Sequence, residues 1–371
     1  MLPTLLLPTS LLSFSYLTLT TQAAPFTFAN NPLGNNFPSP SPQQILDIQT
    51  QAHGSLPAGA PPATVKDDTL KSLRLIAFNE MFETAYFTSL LANITTNATG
   101  YTFADPADRA SKIAALTAVQ AQEELHVLNA NGALANFKAA PIQPCQYQFP
   151  VSTFTEAVGL AATFTDVVLG TLQDVTSLLG ASGDAGLIGG ITSVIGQEGE
   201  QNGYYRSVQG KIPSALPFLT ASTRALAFSA LNQAFVVPGS CDAANMASID
   251  LPIFGTLSID TKDIKPMAQT LDYSIGVRPT RGAIMGDQAG LGYEWLSVVY
   301  INGQNKPAVQ QMQNVRLTAD KVQFQASFPY EAGTFGNGLT IAVLARSNGD
   351  LTSVEGVTAA TVWGPGLIEI N

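Results

Sequence analysis

The hydrophobic periodicity of this 371-residue chain changes once, close to Pro238. From residue 65 to about residue 237, apolar side chains recur at spacings of three and four, which predicts amphipathic helices. Beyond residue 250, short apolar runs and alternating segments are separated by Gly and Asn turns, which predicts strands. This order predicts an α+β multidomain protein: a helical bundle over 65–237, followed by a small all-β domain over 250–371, sandwich-like or an open barrel.

The helical part contains four long segments that form two hairpins. The second segment opens at Asp105-Pro106, because Asp is a good N-cap and Pro suits the first helical turn, and it ends near Asn131-Gly132. A long connector follows, and the third segment starts at Ser152 or Thr153. A fifth, shorter helix is predicted over Thr220–Phe235.

The first 64 residues have a different composition. Residues 1–23 carry a broken apolar run that ends in small residues, which is typical of a secretory signal peptide. A retained apolar N-terminus is the alternative interpretation. Residues 24–64 are rich in Pro, Asn and Ser, which predicts an extended leader rather than a part of the core.

Three further features are consistent with export. Asn93 and Asn97 each begin an Asn-x-Thr triplet, which predicts two glycosylation sites at a surface turn. The only cysteines are Cys145 and Cys241, and in an oxidising compartment we expect them to form one disulfide. Two buried thiols are the alternative. The sequence thus predicts a secreted glycoprotein, extracellular or in the cell wall.

Charge narrows the set of partners. Charged residues make up 12% of the chain and its net charge is −10, so no basic surface for nucleic acid is expected. After removal of the signal peptide no integral membrane span is predicted, since Pro and hydroxyl residues interrupt the N-terminal apolar run. Residues 139–205 contain no Lys or Arg, which suits a core or a homo-oligomeric surface.

Carboxylates stand on otherwise apolar helical faces. The first long helix carries Glu80 and Glu83 among Phe and Met residues, and the second carries Glu123 and His126. Residues three apart lie on one helix face, so the Glu123 and His126 side chains are able to reach the same metal ion. This pattern predicts half of a carboxylate and histidine metal site.

The runs Phe78–Tyr86, Glu123–His126 and Gln197–Arg206 carry a family resemblance. They resemble the ferritin-like proteins related to plant desiccation-related proteins, and the chain looks most like their fungal secreted branch, whose members have names such as stress-response or late-sexual-development protein. The resemblance covers about residues 65–235. It implies a ferritin-like four-helix bundle with one long crossover between the second and third helices.

The second half of the bundle departs from the metal-binding pattern. Where a second Glu-x-x-His would stand, the chain has Glu198 followed by Gln201, and Thr165 occupies the position of the third-helix carboxylate. A symmetric di-iron site with two histidine ligands is therefore not expected, and the candidate ligands of a single iron, manganese or zinc ion are Glu80, Glu123, His126 and Glu198. Additional candidate ligands are Glu83, Asp166 and Gln201. A buried polar network without metal is the alternative, and its carboxylates would need protons or donors such as His126, Tyr86 or Tyr204.

Three functions remain open from the sequence. The first is a structural or protective protein of stress or developmental association with a degenerate metal site. The second is a metal-dependent oxidase or peroxidase that uses the partial carboxylate and histidine site. The third is binding of cell-wall polysaccharide or another carbohydrate by the β-domain, through aromatic residues such as Tyr293 and Trp295, for which core packing is the more frequent role.

Overall fold

The structure is a computed structural model that describes residues 24–59, 61–276, 293–318 and 320–370. The predicted signal peptide, residues 1–23, lies outside these ranges. The helices, in chain order, are α1 (Pro42–Gln51), α2 (Asp67–Thr95), α3 (Pro106–Asn136), α4 (Phe154–Ser182), α5 (Ile188–Val208), α6 (Arg224–Ala234), α7 (Ala243–Ile249) and α8 (Val354–Ala360).

Helices α2 to α5 form the predicted bundle of two hairpins, and a long crossover joins α3 to α4. The predicted caps are present: the Asp105 carboxylate accepts from the amide of Ala107, and Thr153 forms a reciprocal capping box with Glu156. Helix α3 continues past Gly132 to Asn136, so the predicted end at Asn131-Gly132 is wrong. A glycine costs a helix interior only about 1 kcal/mol, and burial of Leu134 extends the apolar face.

The N-terminal segment is not an extended leader, which corrects the expectation for residues 24–64. Ser41 caps α1 with Pro42 in its first turn, so the proline-rich run starts a helix. Phe28, Phe37 and Ile48 are buried against the bundle. Composition alone was misleading here because a few large apolar side chains are enough to dock a polar segment.

One disulfide, between Cys145 and Cys241, joins the crossover to the chain after α6, as predicted. Beside it, Tyr147 pairs with both Phe26 and Val236 through short antiparallel bridges. The crossover is therefore connected to the N-terminal segment and to the region that precedes the β-domain.

The β-domain consists of two antiparallel four-stranded sheets, with strand orders β1-β2-β6-β5 and β4-β3-β7-β8. The strands are β1 (Leu257–Ile259), β2 (Gln269–Gly276), β3 (Leu296–Asn302), β4 (Ala308–Gln311), β5 (Gln313–Leu317), β6 (Lys321–Phe328), β7 (Gly338–Arg346) and β8 (Thr361–Ile370). This architecture confirms the predicted fold class.

The central strands of the second sheet, β3 and β7, are buried on both faces. Tyr300 on β3 contacts the first sheet, where its hydroxyl lies 2.8 Å from that of Tyr273. On the opposite face, Val299 and Ile341 pack against Val167 of α4 and neighbouring helical residues. Every residue of β3 is buried, whereas β6 of the first sheet alternates between exposed and buried. The continuous apolar run of β3 thus reflects its central layer.

The two predicted glycosylation sites differ in their surroundings. Asn97 is exposed in the turn after α2, whereas Asn93 is half-buried within that helix. Glycosylation at both stays a prediction, and Asn97 has the more accessible side chain.

One described helix, Phe154–Ser182, is long and apolar enough to span a membrane by composition. Of its most apolar 18-residue window, 72% is buried inside the protein. The core position of α4 accounts for this hydropathy.

We predict that Asn35→Ala destabilises the protein by about 1–3 kcal/mol, because its amide nitrogen lies within hydrogen-bond distance of both oxygens of a buried carboxylate. Asn35 Nδ2 lies 2.7 and 2.9 Å from the two oxygens of Glu124. The free energy of unfolding from urea denaturation measures the effect. Gln43→Ala, on the exposed face of α1, is the control. Equal stability of the two variants would contradict this role of Asn35.

Candidate metal centre

Three helices bring four ligating side chains together in the interior of the bundle. Glu80 comes from α2, Glu123 and His126 from α3, and Glu198 from α5. One ligand atom from each lies within 4.8 Å of the others. All three carboxylates are buried, while the His126 side chain is 16% exposed. The four residues named as candidate ligands from the sequence therefore lie together in the bundle.

The imidazole of His126 lies between two carboxylates. Its Nδ1 is 3.1 Å from Oε2 of Glu123 and 3.3 Å from Oε2 of Glu80. Burial opposes protonation of the ring, but the two carboxylates outweigh it and raise the pKa of His126 well above its usual value. Burial raises the pKa of Glu80 to about 7 although His126 acts against this. Metal-free, the centre retains protons at neutral pH.

Glu198 is the most isolated carboxylate of the group. Among the residues that the structure describes, none donates a hydrogen bond to either of its oxygens. Burial, together with the charges of Glu80 and Glu123, raises the pKa of Glu198 well above the usual range. A carboxylate in this position has a strong need for a proton or a cation.

Glu83 lies one turn after Glu80 but is not in the group of four. Asn79 donates a 3.0 Å hydrogen bond to its Oε1, and among the described residues its Oε2 has no partner. Burial, followed by the charges of Glu123 and Glu198, raises the pKa of Glu83 well above normal. We expect Glu83 to remain protonated beside the centre.

Gln201, which the sequence analysis named as an additional metal ligand, donates a hydrogen bond to one of the candidate ligands instead. Its Nε2 donates to Oε1 of Glu123 over 2.7 Å, and its carbonyl accepts from the Tyr205 hydroxyl at 3.2 Å. Burial disfavours the ionised form of Glu123, yet His126 and Gln201 hold its pKa below the usual value. The amide of Gln201 thus helps to keep Glu123 ionised.

Asp166 does not belong to this centre. Its Oδ1 accepts a 2.9 Å hydrogen bond from Asn202 of α5. Burial raises the pKa of Asp166, and the charge of Arg206, one turn after Asn202, acts against this shift. Arg206 Nη1 lies 3.6 Å from Oε1 of Glu369 on β8. Asp166 was considered as a ligand because it is next to Thr165, but successive helical residues point about 100° apart. Asp166 instead joins α4 to α5 beside the contact of Arg206 with Glu369.

The tyrosines considered as donors do not reach the carboxylates. The hydroxyl of Tyr86 donates to the carbonyl of Ala157 over 2.7 Å, and the Tyr204 hydroxyl has no partner among the described residues. The prediction that Tyr86 or Tyr204 donates a hydrogen bond to these carboxylates is therefore wrong.

The donor set fits a divalent metal ion. Carboxylate oxygens and imidazole nitrogens bind iron, manganese and zinc, typically about 2.1 Å from the ion, so two ligands of one ion are at most about 4.2 Å apart. The ligand atoms of this group lie within 4.8 Å of one another, a bound that exceeds that value by about 0.6 Å. Small side-chain rotations would close the difference.

Several residues around the centre were missed by sequence reasoning. Asn35 bonds Glu124, Asn79 bonds Glu83, and Tyr205 bonds Gln201. The last two pairs are four residues apart on one helix, so their spacing was a usable signal. Asn35 and Glu124 are 89 residues apart in the sequence, and no local sequence pattern predicts their contact.

Residues 72–211 match the family model described as a ferritin-like domain. The match spans α2 to α5, and this part of the chain is a ferritin-like domain. No curated protein matches the chain.

The aromatic residues considered for carbohydrate binding are at the start of β3. Tyr293 and Trp295 lie in one short helical turn and are partly buried against the core between the sheets. This packing gives no support to an exposed sugar-binding surface, and polysaccharide binding stays a prediction.

We predict that Glu369→Gln reduces the slope of the free energy of unfolding against pH. The reduction corresponds to at most about one proton released on unfolding. Burial raises the pKa of Glu369 to about 8 and that of Asp166 to about 6, above their usual values of 4.5 and 3.8. The folded state then holds protons that the unfolded chain has released, so stability falls as pH rises from about 4.5 towards 8. Urea unfolding of metal-free protein across this range measures the slope.

The control is Glu331→Gln, which changes an exposed glutamate of the same domain and should keep the wild-type slope. Identical slopes for Glu369→Gln and wild type would contradict the assignment of a retained proton to Glu369.

Proposed function

We propose that this is a secreted ferritin-like metalloprotein that binds one divalent transition-metal ion, iron, manganese or zinc, through Glu80, Glu123, His126 and Glu198. The observation that carries the proposal is the buried carboxylate of Glu198, which has no hydrogen-bond donor among the described residues and lies within ligand distance of the other three groups. A cation at this point would satisfy every member of the group at once.

The charge balance supports metal over a purely polar network. His126 contributes at most one positive charge to three buried carboxylates, and it lies against only two of them. Uncompensated buried charge is costly, so the metal-free centre must take up protons. A divalent ion would replace those protons and leave a small net charge.

A single-ion site follows from the residues in the other half of the bundle. The positions of a second carboxylate and a second histidine hold Thr165 and Gln201, and Gln201 directs its amide nitrogen at Glu123. Asn79 and Gln201 orient neighbouring carboxylates by hydrogen bonds. Gln201 would thereby fix the ligand Glu123 beside one ion, and neither amide supplies a carboxylate or an imidazole of a second ligand set.

The role that we propose is protective, with stress or developmental association, in the secreted fungal branch that the helical motifs resemble. The disulfide supports an oxidising compartment, and the apolar run over residues 1–23 supports export. In this role the bound ion contributes stability to the bundle, because a ligand that binds only the folded state stabilises it.

A second candidate function is a metal-dependent oxidase or peroxidase. Its support is a cavity that opens onto Glu80 and His126, which would give a small molecule access to the ion. A bound iron or manganese ion would supply redox chemistry there. Glu80 and His126 would then line the reaction site, and the carboxylate of Glu80 could hold or release a proton.

We predict that chelator-treated wild-type protein takes up about one Mn²⁺, Fe²⁺ or Zn²⁺ per chain. Its free energy of unfolding should rise by about 2.7 kcal/mol when the free metal concentration is 100 times Kd. Glu198→Gln should bind at least about tenfold more weakly, and without metal it should be no less stable than wild type. Elemental analysis and thermal unfolding are the measurements.

The matched control is Glu124→Gln. Glu124 is a buried carboxylate next to Glu123, but it bonds Asn35 outside the centre, so its replacement should leave metal uptake unchanged. Absence of uptake by wild type, together with destabilisation of metal-free Glu198→Gln, would establish the polar network in place of the metal.

A further inference from the structure

A cavity of about 590 Å³ leads from the surface of the bundle to the candidate metal centre. Its walls come from α2, α3, α4, the start of α5 and the N-terminal segment around Leu56 and Pro57. Glu80 and His126 are among its lining residues. The partial exposure of the His126 side chain agrees with this opening. The volume is typical of sites that take small organic molecules.

The walls of the cavity are mainly apolar, and Asn129 and Asn136 are the polar lining residues besides Glu80 and His126. Leu73 and Leu172 are buried there, and Ile76, Leu128, Ile191 and Val194 complete an apolar surface. Among the lining residues that the structure describes, none is Lys or Arg. An occupant with a long apolar part gains free energy from these walls, at roughly 25 cal/mol per Å² of apolar surface removed from water.

The inner end selects against a negative charge. Three carboxylates and one divalent ion leave a net charge of −1 when His126 is neutral, and no Lys or Arg among the lining residues offsets it. An anionic ligand would be repelled there by this net charge and would also lose its hydration. An ammonium group has donors only and no lone pair for the ion, whereas a neutral hydroxyl group is able both to donate to Glu80 and to present its oxygen to the centre.

We propose that this cavity binds a neutral, mainly aliphatic molecule whose hydroxyl group faces Glu80 and His126. The inference deepens the proposed function, on which it rests, by naming the chemical class that enters beside the metal centre. A cationic amine and a carboxylate of the same chain length are the competing classes.

Two neighbouring glycines of α5 provide a matched pair of variants. Gly190 lines the cavity, whereas Gly189 does not, and a Cβ at either position would meet no heavy atom within 4 Å. Leucine is also a better helix former than glycine. Gly190→Leu therefore adds an apolar side chain at the wall of the cavity with no clash at its Cβ, and Gly189→Leu makes the same chemical change outside it.

The test uses the full chain with Mn²⁺ and the neutral apolar dye N-phenyl-1-naphthylamine, whose fluorescence rises in apolar surroundings. Wild type and Gly189→Leu should bind the dye with similar Kd, and Gly190→Leu should bind at least tenfold more weakly. Displacement by 1-octanol should require at least tenfold lower concentration than displacement by octanoate or octylamine. Equal dye binding by the two variants, or preferred displacement by either charged competitor, would overturn the inference.

Metal content measured on the same samples separates this inference from the proposed function. Gly190→Leu leaves all four candidate ligands in place, so it should retain the metal while it loses the dye. Metal uptake without dye binding in wild type would overturn the cavity inference alone. Dye binding without metal uptake would overturn the proposed function and, with it, the metal-dependent orientation of the hydroxyl group.

Discussion

The structure depends on the burial of three carboxylates around one imidazole. Glu80, Glu123 and Glu198 come from three helices, and each must leave water to occupy the interior of the bundle. His126 compensates the first two, and Glu198 has no donor among the described residues. Such an arrangement costs stability unless protons or a cation are bound. We interpret its presence in a well-packed core as a functional feature.

The segments outside the four long helices complete this interior. Asn35 bonds the carboxylate next to Glu123, and residues near Leu56 cover one side of the cavity beside His126. In the last turn of α5, Arg206 lies against Glu369 of the last strand. The N-terminal segment and the β-domain therefore contribute contacts that a bare bundle would lack, and they also separate the interior from solvent.

The spacing of residues along the sequence predicted those features that depend on neighbouring residues of one helix or connector. The three-residue interval between Glu123 and His126 placed both on one helix face, and the long connector after α3 indicated the crossover. The docking of Phe28 and Phe37 could not be predicted in this way, because it depends on partners distant in sequence. The orientation of Gln201 and the pairing of Asp166 with Asn202 likewise follow from tertiary contacts, which the identity of each residue alone leaves undetermined.

The most direct test of the account is the anomalous scattering of a crystal of the full protein grown with Mn²⁺. We predict one strong peak, within about 2.2 Å of oxygens from Glu80, Glu123 and Glu198 and of a ring nitrogen of His126. A crystal that shows no peak there, with Glu198 hydrogen-bonded to a neighbouring carboxyl group, would contradict the central claim.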